Sequence, residues 1–161
     1  MASDTEAGPV RPTTVADLRA LQGTELGPTE WYDITQERID AFAAATGDFQ
    51  WIHVDPARAA GSPLGSTIAH GLFTLSLGAK FMEELMAFDG FAHSLNYGYE
   101  KVRFPAPVPV GSRLRMRATI TDVADVPGGA QITTTQTMEV EGGGKPVCVA
   151  ASVGRFVERR G

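Results

Sequence analysis

The feature that most constrains the fold is a change in the spacing of apolar residues near the middle of the chain. Residues 68–88 are mainly apolar, and large side chains recur there nearly all round a helix, together with Gly71, Gly78 and Ala79. A helix that is apolar on most sides is buried rather than half exposed. Residues 113–120 instead alternate between apolar and polar side chains, and a period of two indicates a strand.

The second half of the chain is predicted to be a series of antiparallel strands. They are expected at 94–104, 113–120, 132–140 and 147–157, after a short earlier strand at 30–34. Glycine-rich turns at 127–129 and 142–144 separate the last three. A sheet wrapped around one apolar helix buries both elements, so the pattern predicts an α+β fold.

The first half begins with residues 1–13, which we expect to be a flexible tail, and 14–161 then form a single domain. A short helix is predicted at 15–22. A second helix begins after Thr35, a good N-cap, with Ile34 and Ile39 at the two positions of a hydrophobic staple. Gly47 is the type of residue that ends a helix in the left-handed conformation.

The composition excludes several classes of function. Fourteen basic and 19 acidic residues give a net charge of −5, which disfavours nucleic acid and anionic membranes as partners. No apolar stretch approaches the ~18 residues of a membrane-spanning helix, and the N-terminus lacks the apolar region of a signal peptide. Cys148 is the only cysteine, so an internal disulfide is impossible. We therefore expect a cytoplasmic protein.

Three residues are candidates for chemistry. Asp48 follows a helix stop, and His53 comes five residues later, in what the sequence predicts to be a loop. A carboxylate and an imidazole that face one space can hold a water and exchange protons with it. Gly71 begins the buried helix, where a free backbone N–H can stabilise a developing negative oxygen.

Each candidate also has a purely structural interpretation. An aspartate after a glycine is common in turns, a histidine between Ile52 and Val54 is often a satisfied core residue, and Gly71 can reflect close packing alone. We predict that His70 is only a ring packed near the start of the helix. The histidines at positions 53, 70 and 93 do not have the spacing of metal ligands, so no metal and no other cofactor is expected.

Two sequence segments resemble a known family. Residues 45–60, A-T-G-D-F-Q-W-I-H-V-D-P-x-R-A-A, and 68–76, I-A-H-G-L-F-T-L-S, resemble the signature of MaoC-like dehydratases and (R)-specific enoyl-CoA hydratases. Residues 102–114 resemble that family's second recurrent segment. Typical members carry Asn and Pro where this chain has Gln50 and Trp51, a variant that resembles the nodulation protein N branch. Where some hydratases have a serine on the central helix, this chain has Ala79.

The resemblance implies a hot-dog fold, an antiparallel sheet wrapped around a long central helix, and a homodimer whose two sheets join. It implies that Asp48 and His53 are a catalytic dyad that activates water, and that the Gly71 N–H polarises a thioester carbonyl. The expected reaction is reversible addition of water to a trans-2-enoyl thioester, carried by CoA or an acyl carrier protein, to give the (R)-3-hydroxyacyl thioester. Two alternatives remain: a hot-dog acyl thioesterase, and a non-catalytic module that binds acyl thioesters.

Overall fold

The computed structural model describes residues 8–161, which form five helices and six strands. The helices are α1 (Val15–Ala20), α2 (Gln36–Thr46), α3 (Trp51–Val54), α4 (Pro56–Ala60) and α5 (Gly71–Leu85). The strands are β1 (Glu25–Leu26), β2 (Tyr32–Asp33), β3 (His93–Arg103), β4 (Arg113–Val126), β5 (Gly129–Val140) and β6 (Cys148–Val157). None of the helices in residues 8–161 is long and apolar enough to cross a membrane.

The strands form one antiparallel sheet in the order β1-β4-β5-β6-β3, and β2 also pairs with β4. A two-residue turn joins β4 to β5, since Val126 pairs with Gly129. Gly128 in that turn has a φ of 80°, which glycine adopts without strain. The long strand β3 lies at the free edge, beside β6.

Helix α5 packs its apolar face on the inner face of this sheet. Phe81 is fully buried in the middle of the helix, and Leu114, Met116 and Ile120 on β4 are fully buried in the same core. Burial of such side chains is the main stabilising contribution to a domain of this size. The predicted hot-dog architecture, a sheet wrapped around a central helix, is therefore confirmed.

Helix α2 begins and ends where the sequence indicates. The Thr35 side chain accepts a hydrogen bond from the Arg38 N–H, and Gly47 ends the helix with a φ of 79°. Ile34 and Ile39, the predicted staple, are both fully buried. This stop matters for the site because it places the next residue, Asp48, at the end of a rigid helix.

The central helix is shorter than the predicted 68–88. It runs over 15 residues, Gly71–Leu85, because the flanking apolar residues bond to other segments. Ile68 forms an antiparallel bridge with Pro109, and Met86 forms a parallel bridge with Val10. Val10, which we expected to belong to the flexible tail, is thus hydrogen-bonded beside the end of α5; residues 1–7 of that tail lie outside the described residues.

Helix α3 and strand β1 are not predicted by the sequence pattern. The predicted loop around His53 is wrong, because Trp51–Val54 form one helical turn. Four residues are too few to show a helical period, and no side chain caps this turn. Strand β1 has only two residues, and it forms because Glu25 and Leu26 pair with Thr119 and Ala118 on β4.

Candidate active site

Asp48 lies directly after the glycine that ends α2, and its side chain is exposed. One carboxylate oxygen, Oδ1, accepts a hydrogen bond of 3.3 Å from the Gln50 N–H. This bond orients the carboxylate at the start of the segment that leads into α3. The other oxygen has no hydrogen bond to the described residues, so it is available to a ligand.

His53 lies in α3 and is buried, with 6% of its surface exposed. Its Nδ1 lies 2.7 Å from the carbonyl oxygen of Ile68. Since a carbonyl oxygen can only accept, Nδ1 carries a proton, and Nε2 is the nitrogen that remains for another partner. The fold therefore leaves Nε2 as the ring nitrogen of His53 that can exchange a proton with a ligand.

His70 stacks directly on His53. The two ring centroids are 3.8 Å apart with an interplanar angle of 24°. His70 Nε2 donates to the carbonyl oxygen of Asp48 over 3.0 Å, and Phe42 packs against the ring at a centroid distance of 4.8 Å. His70 thus holds the main chain of Asp48 beside His53, whereas the sequence predicts only a packed ring.

Gln36 holds the main chain of His53. Its Nε2 donates to the carbonyl oxygen of His53 over 2.7 Å, and its Oε1 accepts from the Thr67 hydroxyl over 2.5 Å. Sequence reasoning missed this residue. Gln36 is the first residue of an amphipathic helix, and nothing in the local pattern indicates that its amide contacts residues 17 and 31 positions away.

Gly71 is the first residue of α5. The N–H groups of a first helical turn have no partner within the helix, so the Gly71 N–H is available to an acceptor. A Cβ at this position would lie 3.1 Å from the ring of Phe104, so the absence of a side chain lets that ring pack close to Gly71. His70 provides no side-chain cap here, which leaves this end of α5 open to a ligand.

The structure brings Asp48, His53 and His70 into one cluster, in which one ligand atom of each residue lies within 4.8 Å of the others. A separation of this size allows one water to contact both the carboxylate and the imidazole. The spacing of the histidines in the sequence did not predict this cluster. Both histidines use one nitrogen to bond a main-chain carbonyl, an arrangement that suits proton transfer to water.

Comparisons with known proteins identify the family of this chain. The family model described as MaoC like domain matches residues 17–142. The 3-hydroxyacyl-thioester dehydratase Z of Mycobacterium tuberculosis is 51% identical over 145 residues, which cover 89% of this chain and 96% of that protein. Nodulation protein N of Rhizobium leguminosarum bv. viciae is 42% identical over 148 residues, with coverages of 85% and 87%.

A solved structure shows a similar fold. The (R)-hydratase from A. caviae involved in PHA biosynthesis aligns with a TM-score of 0.66 at 25% identity. The alignment covers 83% of this chain and 97% of that protein. These matches confirm both the predicted resemblance and its branch that contains nodulation protein N.

Proposed function

Since this chain belongs to the MaoC-like domain family, we propose that it is an enoyl thioester hydratase that adds water reversibly to trans-2-enoyl-CoA. The product is the (R)-3-hydroxyacyl thioester. One observation carries the proposal: the Asp48 carboxylate and the His53 imidazole lie within 4.8 Å of each other, and His53 keeps Nε2 free because Nδ1 bonds the Ile68 carbonyl. A 3-hydroxyacyl-thioester dehydratase at 51% identity supports the same chemistry.

The proposed mechanism needs one water and two proton transfers. A water between Asp48 and His53 loses a proton to the dyad while its oxygen bonds to C3 of the enoyl group. The dyad then delivers a proton to C2, so that one water molecule is added across the double bond. The Gly71 N–H donates to the thioester carbonyl oxygen, which becomes negative as C3 is attacked.

The expected rate enhancements show why Asp48, His53 and the Gly71 N–H are all needed. General acid–base catalysis contributes on the order of 10²–10⁴-fold, and a donor to the developing oxyanion contributes ~10²–10³-fold. Neither effect is sufficient alone. The bonds from His70 and Gln36 to the main chains of Asp48 and His53 support the proposal, because they fix both catalytic groups to packed elements.

The two alternatives make different demands on the site. A thioesterase directs water at the thioester carbonyl and releases a free thiol, whereas a binding module has no use for a free imidazole nitrogen beside a carboxylate. The named activity of the relative at 51% identity favours hydration over both. Release of thiol from crotonyl-CoA, followed with a thiol reagent, would favour the thioesterase.

Substitution of the dyad tests the proposal. We expect Asp48→Asn and His53→Ala each to lower kcat for hydration of crotonyl-CoA by at least ~10²-fold. Loss of absorbance at the conjugated thioester band measures the rate, and circular dichroism checks the fold. The matched control is Asp122→Asn, which changes an exposed carboxylate on β4 and should keep the wild-type rate. A dyad variant that folds and retains a rate near that of wild type would refute the assignment.

Stereochemistry tests the (R) product separately. A water held by Asp48 and His53 can reach one face of an enoyl group that Gly71 fixes, because a misplacement of about 1 Å costs ~10²-fold in rate. An NAD-linked dehydrogenase specific for (S)-3-hydroxyacyl-CoA should therefore give no NADH while the enoyl absorbance falls. An equal NADH signal would mean that water attacks the opposite face.

We also propose a cytoplasmic location, which cell fractionation tests.

A further inference from the structure

A cleft of about 430 Å³ lies at one end of the sheet, between two surface segments. One wall is the segment that follows β3, through Ala106, Pro107 and Pro109. The other wall is the glycine-rich turn between β5 and β6, residues 142–145. Both prolines and the whole turn are exposed, so the cleft is open to a ligand from solvent.

The cleft is close to the proposed reaction centre. The Phe104 ring packs close to Gly71, and Pro107 follows only three residues later, a span of at most ~11 Å. The same segment is tied to the residues before Gly71, since the Ala69 N–H donates to the Val108 carbonyl over 2.8 Å. A thioester held at Gly71 therefore has the cleft within reach of its carrier.

Two cations beside the cleft lack an ion pair among the described residues. Lys145 lines the cleft and is exposed. Arg103 is exposed at its edge, because it pairs with Val149, two residues after the lining residue Val147. Within residues 8–161, every salt bridge is formed by other basic residues. Both cations are thus free to bind an anion.

The acidic residue of the cleft is already neutralised. Glu141 accepts a hydrogen bond of 2.7 Å from Arg113 Nε, so it does not compete for Lys145. The chain as a whole carries a net charge of −5, which repels an anionic ligand from most of the surface. A cleft with two unpaired cations is therefore a local exception, and charge complementarity favours an anion there.

The walls and the charges together indicate the chemistry of the ligand. Lysine and arginine are the usual partners of phosphate groups. Proline rings and glycine peptide groups present flat surfaces with no bulky side chain, which suits a planar base. CoA carries phosphate groups and an adenine ring at the far end of its pantetheine arm, whereas the arm of an acyl carrier protein has no base.

We propose that this cleft binds the nucleotide end of CoA, with Arg103 and Lys145 on its phosphates, so that the chain acts on CoA thioesters. The inference rests on the proposed function and assigns the carrier of its substrate. Pairing of β3 with a second copy would use the edge of the strand. Side chains project from the faces of a sheet, so Arg103 remains accessible in such a dimer.

A comparison of two carriers tests the inference. Crotonyl-CoA and crotonyl-pantetheine present the same thioester, but only the first has a nucleotide. We expect a double variant that combines Arg103→Gln with Lys145→Gln to raise KM for crotonyl-CoA about tenfold. Its kcat and its kinetics with crotonyl-pantetheine should not change, because the reacting groups are intact. An unchanged KM for crotonyl-CoA in the folded double variant would overturn the inference.

The matched control combines Arg19→Gln with Arg117→Gln. Both arginines form salt bridges away from the cleft, with Asp125 and Glu25, and their loss changes the net charge by the same amount. The control should keep the wild-type KM for crotonyl-CoA. A rise in KM as large as that of the double variant would mean that net charge alone acts, and it would overturn the site.

Calorimetry gives a readout that does not depend on activity. Adenosine 3′,5′-bisphosphate is part of CoA and has no thioester. We expect it to bind the wild-type protein and the control equally, and to bind the variant of Arg103 and Lys145 about tenfold more weakly. Inorganic phosphate should bind much more weakly than the bisphosphate. Equal affinities for both ligands would overturn the adenine part of the assignment.

An acyl carrier protein loaded with a crotonyl group tests the other possible occupant. A lower KM for that substrate than for crotonyl-CoA in the wild-type protein would overturn the assignment of the carrier. Failure of the proposed function has a different signature, because the wild-type protein would then hydrate neither crotonyl-CoA nor crotonyl-pantetheine. Calorimetry with the bisphosphate would still decide whether the cleft binds a nucleotide.

Discussion

The two stacked histidines of the site form their hydrogen bonds through opposite ring nitrogens. His53 donates a hydrogen bond from Nδ1–H to the Ile68 carbonyl, and His70 donates one from Nε2–H to the Asp48 carbonyl. Main-chain carbonyls therefore fix both tautomers, and neither ring has to reorient before a proton moves. This pre-organisation of single atoms suits the acid–base role that we propose for Asp48 and His53.

The thiol of Cys148 allows the burial of a single residue to be tested. Cys148 is fully buried in β6, and burial raises the pKa of its thiol to about 11 from an ordinary value of 9.0. Because the thiolate is the reactive form, we expect a chromogenic disulfide reagent at about pH 8 to react very slowly with the native protein and with one equivalent of thiol after unfolding. Equal rates in the two states would contradict the burial of β6.

The same shift predicts a dependence of stability on pH. A thiol whose pKa is raised by folding stabilises the native state fully below the unfolded pKa, near 9.0, and this contribution is lost as the pH rises towards about 11. We expect Tm of the wild-type protein to fall more steeply across this window than Tm of Cys148→Ala. Parallel Tm curves for the two proteins would show that the thiol does not contribute.

The sequence predicted some of these residues and missed others for a physical reason. Asp48, His53 and Gly71 stand in one short region beside a helix stop and a helix start, so a local pattern together with a family resemblance could identify them. Gln36 and His70 act through main-chain contacts 17 and 22 residues away. No local pattern carries that information.

At the level of elements, the site depends on how α2, α3 and the start of α5 are tied together. Capping residues let the sequence predict both ends of α2, since a cap is a local hydrogen bond. The ends of α5 depend instead on bridges from Ile68 to Pro109 and from Met86 to Val10. Long-range pairing overrides the apolar period there, which is why the predicted helix was too long.

Gln36→Leu tests the tie between α2 and α3. The change leaves the His53 carbonyl and the Thr67 hydroxyl without this partner, and we expect a loss of ~1–3 kcal/mol in the free energy of unfolding. A less fixed His53 should also lower kcat more than it changes KM. Glu37→Leu, at the exposed neighbouring position, is the control for kcat. If Gln36→Leu matches that control in stability and kcat, the amide does not hold His53.

At the level of the whole molecule, the exposed apolar side chains are concentrated near the site and along the edge of the sheet. Large apolar residues that are exposed by 40% or more are Phe49, Leu64, Leu72, Leu95, Tyr97, Tyr99 and Phe104. Phe49 and Leu72 follow Asp48 and Gly71 directly in the chain, and the Phe104 ring packs close to Gly71. Several large apolar side chains exposed in this way are typical of an interface.

We expect this surface to join two copies of the chain. Strand β3 is the long free edge of the sheet, and its unpaired N–H and C=O groups can pair with the same edge of a second copy, in keeping with the joined sheets that the family resemblance implies.

Sedimentation at micromolar concentration should give twice the mass of the 17.1 kDa chain. Leu95→Lys should shift it towards one chain, because a buried lysine opposes edge pairing. Thr121→Lys, at an exposed position on β4, is the matched control and should sediment as the wild type does. A wild-type mass near that of one chain would refute the dimer, and equal dissociation by both lysine variants would place the interface elsewhere than at β3.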